Sequence, residues 1–188
     1  RVATPAAAVP RNWLDIDQLI RQSTLRPSVR DRATNAFERL ATAEAAVHGV
    51  PVQEVHFHEV GALDAIADIV GVCAGLDHLG LDELWVSPVA VGSGRVQSEH
   101  GWLPVPAPAV VELLRGAPTL SGPGQDELCT PTGAALLTAH ASGFGSQPRM
   151  VVDRAGTGAG RRDPETHPTV VRLLLGQPTD TDPGAGGV

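Results

Sequence analysis

The sequence predicts an α/β protein with helices alternating with short strands around one core; a mixed α+β arrangement of the same elements is the alternative. Three observations predict it. Apolar residues at helical spacing and short Val-rich runs take turns along the chain, each closed by Gly or Pro. Hydrophobic residues make up 42% of the 188, enough for a packed core. With three Trp, three Phe and no Tyr, that core is filled by Ala, Val, Leu and Ile.

The elements follow in order. Residues 1–12 are a Pro/Ala linker. A short amphipathic helix spans about 13–25, with Leu14, Leu19 and Ile20 as its apolar set. Ser28, with Asp31 three residues on, is the expected N-cap of a second helix. Its core positions are Val29, Ala33, Ala36, Phe37, Leu40 and Val47, and Gly49 with Pro51 stops it. The alternating "VQEVHFHEV" is a strand or extended entry, and "GALDAIADIVGVCAGLDHLG" is a helix ending at Gly80. "ELWVSPVAVGSG" is β-like. "PVPAPAVVELLRGAP" is a helix with a Pro-rich start and Gly116 after it. "CTPTGAALLTAHASG" places Thr130 at the N-cap, Pro131 at the first helical position and Gly143 at the stop. "RMVVDRAGTGAG" and "TVVRLLLG" are two closing strands, and residues 177–188 are a disordered tail.

The domain is expected to span 13–176. Twenty-one acidic residues outnumber 14 Lys and Arg, giving a formal charge of −7 and excluding a general nucleic-acid binder. Cys73 and Cys129 form no CxxC pair, so a disulfide scaffold is not expected and the thiol usage fits a reducing compartment. No apolar run approaches the roughly 18 residues that span a bilayer, and no secretory signal opens the chain. The expectation is a cytoplasmic protein, and the absence of an initial Met suggests a fragment.

The densest chemistry lies at 55–71, "VHFHEVGALDAIADIVG". In an extended segment His56 and His58 share one face, about 7 Å apart, a workable ligand pair for nickel or zinc. Glu59 is an oxygen ligand or a partner that orients an imidazole. Gly61, Asp64, Asp68, Gly71 and Gly75 form one helical stripe with two carboxylates and no bulky side chain. Like charges at this spacing oppose an isolated helix by roughly 0.2–0.5 kcal/mol, which a cation or the helix N-terminus relieves. A solvated helix face is the competing reading of the Asp pair.

Elsewhere, the turn at Gly92, Ser93 and Gly94 offers backbone N–H groups to an anion, although the pattern is common in loops. His100 is a third imidazole or a surface residue. Thr130, Thr132 and Gly133 at a helix N-terminus suit a phosphate; an ordinary cap explains Thr130 and Pro131 but not Thr132-Gly133. Cys129 is a soft ligand or a small buried residue, and Cys73 belongs to the core. "AGTGAGRRD" brings Arg161 and Arg162 to a glycine-rich turn without the Lys of a P-loop.

Four of these stretches, in this order, resemble the LarC family: "HFHEVGALDAIADIVG", "GSGRVQSEHGWLPVPAPAVVELLRGAP", "ELCTPTGAALL" and "GTGAGRRDPETHPTVVRLLLG". These are nickel insertion proteins, chelatases acting on pyridinium-3,5-bisthiocarboxylic acid mononucleotide. The similarity runs from about Trp13 to Gly176. It implies CTP-dependent insertion of Ni(II) into that substrate to make the nickel-pincer nucleotide cofactor, a lyase-class reaction. It further implies that His56, His58, Glu59, Asp64, Asp68 and His100 handle the metal. Ser93, Gly94, Thr130, Thr132 and Gly133 are the residues implied for the substrate phosphate. CTP, with its divalent metal, is expected to bind outside this chain; the family carries a further N-terminal portion and a C-terminal portion associated with nucleotide and metal binding, and both are expected to be missing from this sequence. The pattern departs from the family at Thr157, where Tyr is expected, and at Thr169, where Asn often precedes the last strand. The expected partners are the pyridinium mononucleotide and those missing portions, with neither nucleic acid nor membrane, and a homo-oligomer is left open. A non-catalytic nickel-binding or assembly module is the second reading, and a metal-dependent hydrolase built on the His pair and the aspartates is the third.

Overall fold

The structure is a computed structural model that describes residues 12–57, 63–98, 101–160 and 167–179. It divides into two compact units, Arg1–Gly145 and Ser146–Val188.

In the first unit, α1 (Trp13–Arg21) starts at a capping box in which the Asn12 side chain accepts from Asp15 N–H and Asp15 answers to Asn12 N–H. The face that packs inward is the stripe of Trp13, Ile16 and Ile20, spaced three and four apart. Ile16 and Ile20 are buried, whereas Leu14 and Leu19, expected in the core, are exposed. The long α2 (Pro27–His48) begins two residues earlier than the sequence suggests. Pro27, with its fixed φ and no N–H, takes the first helical position, so Arg26 is the cap residue. Ser28 is therefore not the N-cap; its hydroxyl instead bonds the Asp77 carboxylate, and with Arg26 it holds that carboxyl below its usual range. Gly49 closes α2 in the left-handed conformation, φ 66°, as expected. Val29, Ala33, Ala36, Phe37 and Leu40 are buried, and Val47 is exposed.

The expected strand after Pro51 is a single 3-10 turn, Val52–Glu54, followed by extended chain. The alternation survives there, because Val55 and Phe57 are buried and His56 between them is exposed. Helix α3 (Leu63–Leu79) ends at Gly80, φ 60°. The β-like segment is two short strands, β1 (Trp85–Val86) and β2 (Val89–Ala90), followed by the antiparallel hairpin of β3 (Arg95–Ser98) and β4 (Gly101–Pro104). Helix α4 (Pro108–Leu113) leads to β5 (Thr119–Leu120), which pairs in parallel with β2. Helix α5 (Pro131–His140) leads to β6 (Gly143–Phe144), which pairs in parallel with β1. Gly143 is thus a strand residue rather than the helix stop. A side chain there would meet the Trp85 ring at 2.8 Å, so glycine lets that ring lie over β6 where it pairs with β1.

Helix α2 touches α1, α3, α4 and α5, and the buried aliphatic cluster gathers around it, all within the first unit. Two phenylalanines supply its large rings. Phe37 and Phe57 meet edge-to-face at 6.3 Å between centroids.

The second unit is an antiparallel ribbon of β7 (Met150–Ala159) and β8 (Val170–Pro178), the two closing strands that the sequence predicts, with a register shift between Val152 and Arg154. Helices and strands therefore alternate as expected. Among the described residues no helix is long and apolar enough to cross a membrane.

Candidate metal and phosphate site

Contacts along α2 decide how the candidate residues are grouped. The beginning of α2 meets the end of α3 through Arg26 and Asp77, 3.3 Å apart. One turn on, the charge of Arg32 reaches both Cys73 of α3 and His140 of α5. Asn35 Nδ2 donates to the Ala139 carbonyl at 3.2 Å. Cys73 Sγ and His140 Nε2 lie 3.4 Å apart. The first half of α2 thus lies against the C-terminal half of α3 and the end of α5, and the Cys73–His140 contact joins those two helices. The first turn of each of α3 and α5 carries the positive end of its own helix dipole.

On the α3 side, Asp64 and Asp68 are both exposed, and Asp64 Oδ1 accepts from the Ala65 N–H at 3.0 Å. Added side-chain carbons at Gly71 and Gly75, further along the stripe, would meet nothing within 4 Å. The stripe is an open face of this chain. His56 precedes the helix, its backbone bridged to Asn12 beside the α1 cap and its side chain exposed. His58, Glu59 and His100, together with Gly61, Arg161 and Arg162, lie outside the described residues. Among the described residues no three His, Cys, Asp or Glu side chains converge as a metal cluster.

On the α5 side, the Thr130 hydroxyl accepts from the Gly133 N–H at 3.2 Å and the Thr130 carbonyl accepts from Ala134 N–H at 2.9 Å. The cap expected from the sequence is therefore present. Pro131 has no N–H, so the Thr132 N–H is the first-turn donor that these two bonds leave over. Gly133 is not required by packing: a side-chain carbon there would lie 3.5 Å from the Thr130 hydroxyl and 4.0 Å from Cys129 Sγ, both ordinary contacts. Cys129 is buried, and burial, with Glu127 adding, pushes its thiol up to about 11. It is a buried, neutral thiol of the core.

The Gly92-Ser93-Gly94 turn stitches the motifs together. Gly92 N–H donates to the Ser121 carbonyl at 2.7 Å and Ser93 N–H to the Asp126 carbonyl at 3.3 Å. The Ser93 hydroxyl donates to the Gly124 carbonyl at 2.9 Å, and Gly94 accepts from Val105 N–H at 3.1 Å. Leu128 N–H returns to the Val91 carbonyl at 3.2 Å, two residues before the α5 cap. The N–H groups of Gly92 and Ser93 are thus engaged by carbonyls inside the chain, and the turn braces the loop that delivers Thr130.

Sequence reasoning missed the Cys73–His140 contact. Burial pushes the Cys73 thiol up to about 11 against a lowering by Arg32. Burial, then Arg32 and Arg39, lower His140. A neutral thiol against a neutral imidazole fastens α3 to α5 and is no nucleophile. No local signal could have found it, since the two residues are 67 apart in sequence. A separate groove of about 380 Å³ between α2, α4 and α5 is lined by Asn35, Glu38, Arg39, Thr42, Glu112 and Thr138, and holds none of the candidate residues.

Comparison with known proteins places these motifs. A family model described as "Nickel insertion protein" matches residues 1–185. A pyridinium-3,5-bisthiocarboxylic acid mononucleotide nickel insertion protein of Nocardioides sp. is 59% identical over 93% of this chain and 44% of its own length. One of the same name from Desulfitobacterium hafniense (strain DSM 10664 / DCB-2) is 46% identical over 96% of this chain and 44% of its own. The chain spans less than half the length of these relatives. No solved structure matches it.

Proposed function

Because the chain belongs to the nickel insertion protein family, we propose that it carries the nickel-delivery and phosphate-holding part of an insertion reaction on pyridinium-3,5-bisthiocarboxylic acid mononucleotide. The observation that carries this reading is the α5 N-terminus, where the Thr130 cap leaves the Thr132 N–H over and packing does not require Gly133, while α3 brings the exposed aspartates, preceded by the segment of His56. Nickel and the nucleotide phosphate are the two things such a reaction must hold, and their opposite charges are served by these opposite features.

In this reading His56, with His58, Glu59 and His100, presents imidazole and carboxylate donors suited to Ni(II). Asp64 and Asp68 lower the potential on the α3 side and attract the cation, which in turn offsets their mutual repulsion. The Thr132 N–H and the α5 dipole take the phosphate, and Gly133, which packing does not require, leaves room for its close approach. Ser93 and Gly94 position the loop rather than touch the anion. The substrate's two thiocarboxylates then receive the metal as sulfur ligands. CTP and its divalent metal bind outside this chain, and the reaction is placed in the cytoplasm.

A non-catalytic nickel-binding module is the second reading, favoured by the chain spanning 44% of its relatives. The two separate in an assay of the purified chain with Ni(II), the pyridinium mononucleotide and CTP, following nickel incorporation. Incorporation above the protein-free rate, lost in a His56→Ala/His58→Ala variant, is the result expected for an insertion unit. Nickel binding with no incorporation assigns the chain to the module reading.

A further inference from the structure

We propose that the outer edge of β8 is the surface through which two copies of this chain pair, antiparallel, about a two-fold axis at Leu174. The ribbon of β7 and β8 is the whole of its sheet among the described residues. Two strands alone are at best marginally stable in water, and three or more with an apolar face are needed for an independent sheet. Both strands nevertheless expose large aliphatic side chains: Val151 and Val152 on β7, and Val170 and Val171 on β8, the last at 76%.

The two edges differ. That of β7 is broken by the register shift at Val152/Arg154, carries Asp153 and Arg154, and contains Gly156 and Gly158. A bulge, charges and glycines are the devices that keep an edge from pairing. The edge of β8, "VVRLLLGQP", has no acid, one Arg and no Pro before Pro178. It is therefore the extensible edge.

Its own sequence suits a second copy. Val171, Leu173 and Leu175 share one face of β8, and Val170, Arg172 and Leu174 the other. With the axis at Leu174, each Leu173 lies opposite the partner's Leu175, Leu174 lies opposite its own copy, and Arg172 lies opposite the partner's Gly176. No like charges meet, and leucines pair across the junction. The contact is isologous and turns two strands into four.

The test uses the chain as it is. Light scattering over a concentration series should show a species of twice the 19.5 kDa chain mass. Leu174→Lys, which puts two ammonium groups face to face on the axis, should raise the dimer dissociation constant about tenfold or more while the far-UV spectrum is unchanged. Leu174→Cys should cross-link to its own copy on mild oxidation, because directly opposed Cα atoms about 4.5–5.5 Å apart suit a disulfide. Leu173→Cys should not, because its own copy is displaced along the strand beyond that reach. The native thiols do not interfere, both being buried. A single-chain mass at every concentration overturns the proposal and hands the edge to a strand from elsewhere in a longer polypeptide. A dimer indifferent to Leu174→Lys, or equal cross-linking at 173 and 174, also overturns it.

Discussion

Gly92→Ala is expected to destabilise the first unit by about 3 kcal/mol, lowering its melting temperature by roughly 6–12 °C. Two costs add. The residue sits at φ +93°, where an L side chain is strained, and its new methyl group would run into the Asp126 carbonyl oxygen, with Leu128 N 2.9 Å away. Both obstacles are backbone, held in place by the bridge between Gly92 and Glu127, so no rotamer change relieves them. Gly116→Ala is the control, since it has φ +83° but open space around it, and it should cost only about 1 kcal/mol. Calorimetric melting of both variants checks this. Equal losses would mean that conformational strain alone acts at Gly92 and that the loop does not lie against 126–128. The variant also bears on function, because the same loop leads directly to the Thr130 cap.

Phe57→Ala is expected to cost about 3–5 kcal/mol, and Phe57→Leu much less. The ring is 2% exposed and meets Phe37, itself fully buried, in a core otherwise aliphatic. Its removal leaves a cavity that Ala and Val neighbours cannot fill. The side chain is also what fixes the phase of the segment: with Val55 and Phe57 inside, His56 must point out. Urea unfolding should show a lower midpoint with an unchanged slope. A loss below about 1 kcal/mol would mean that Phe57 does not anchor the histidine segment.

Much of this was legible in the sequence because the signals are local. Gly49 and Gly80 close α2 and α3, Thr130 and Pro131 open α5, and the runs at 150–159 and 170–178 pair as strands. Other features depend on distant chain. The Leu14/Leu19 expectation failed because α1 carries two apolar sets, and the stripe of Trp13, Ile16 and Ile20, spaced three and four apart, is the one that packs inward. Ser28 lost the cap to Arg26, two positions earlier, because Pro27 takes the first helical position. Strands two residues long carry no period, so the parallel pairs of β1 with β6 and β2 with β5 left no trace in the pattern. The Gly-Ser-Gly turn looked like an anion cradle, yet its glycines admit a loop some thirty residues later, a contact that no window of sequence contains. The residue types of the candidate site were readable. Which helices meet was not: Cys73 of α3 touches His140 of α5 across 67 residues of sequence.

The central claim is that the His-rich segment ahead of α3 handles nickel, and calorimetric titration of the purified chain with Ni(II), beside zinc and manganese, tests it most directly. The account predicts roughly stoichiometric nickel binding, weak for manganese as imidazole donors require, and lost in the His56→Ala/His58→Ala variant while its melting temperature stays within about 2 °C of the parent. Nickel binding of undiminished affinity in that folded variant, or none in the parent chain, would contradict it.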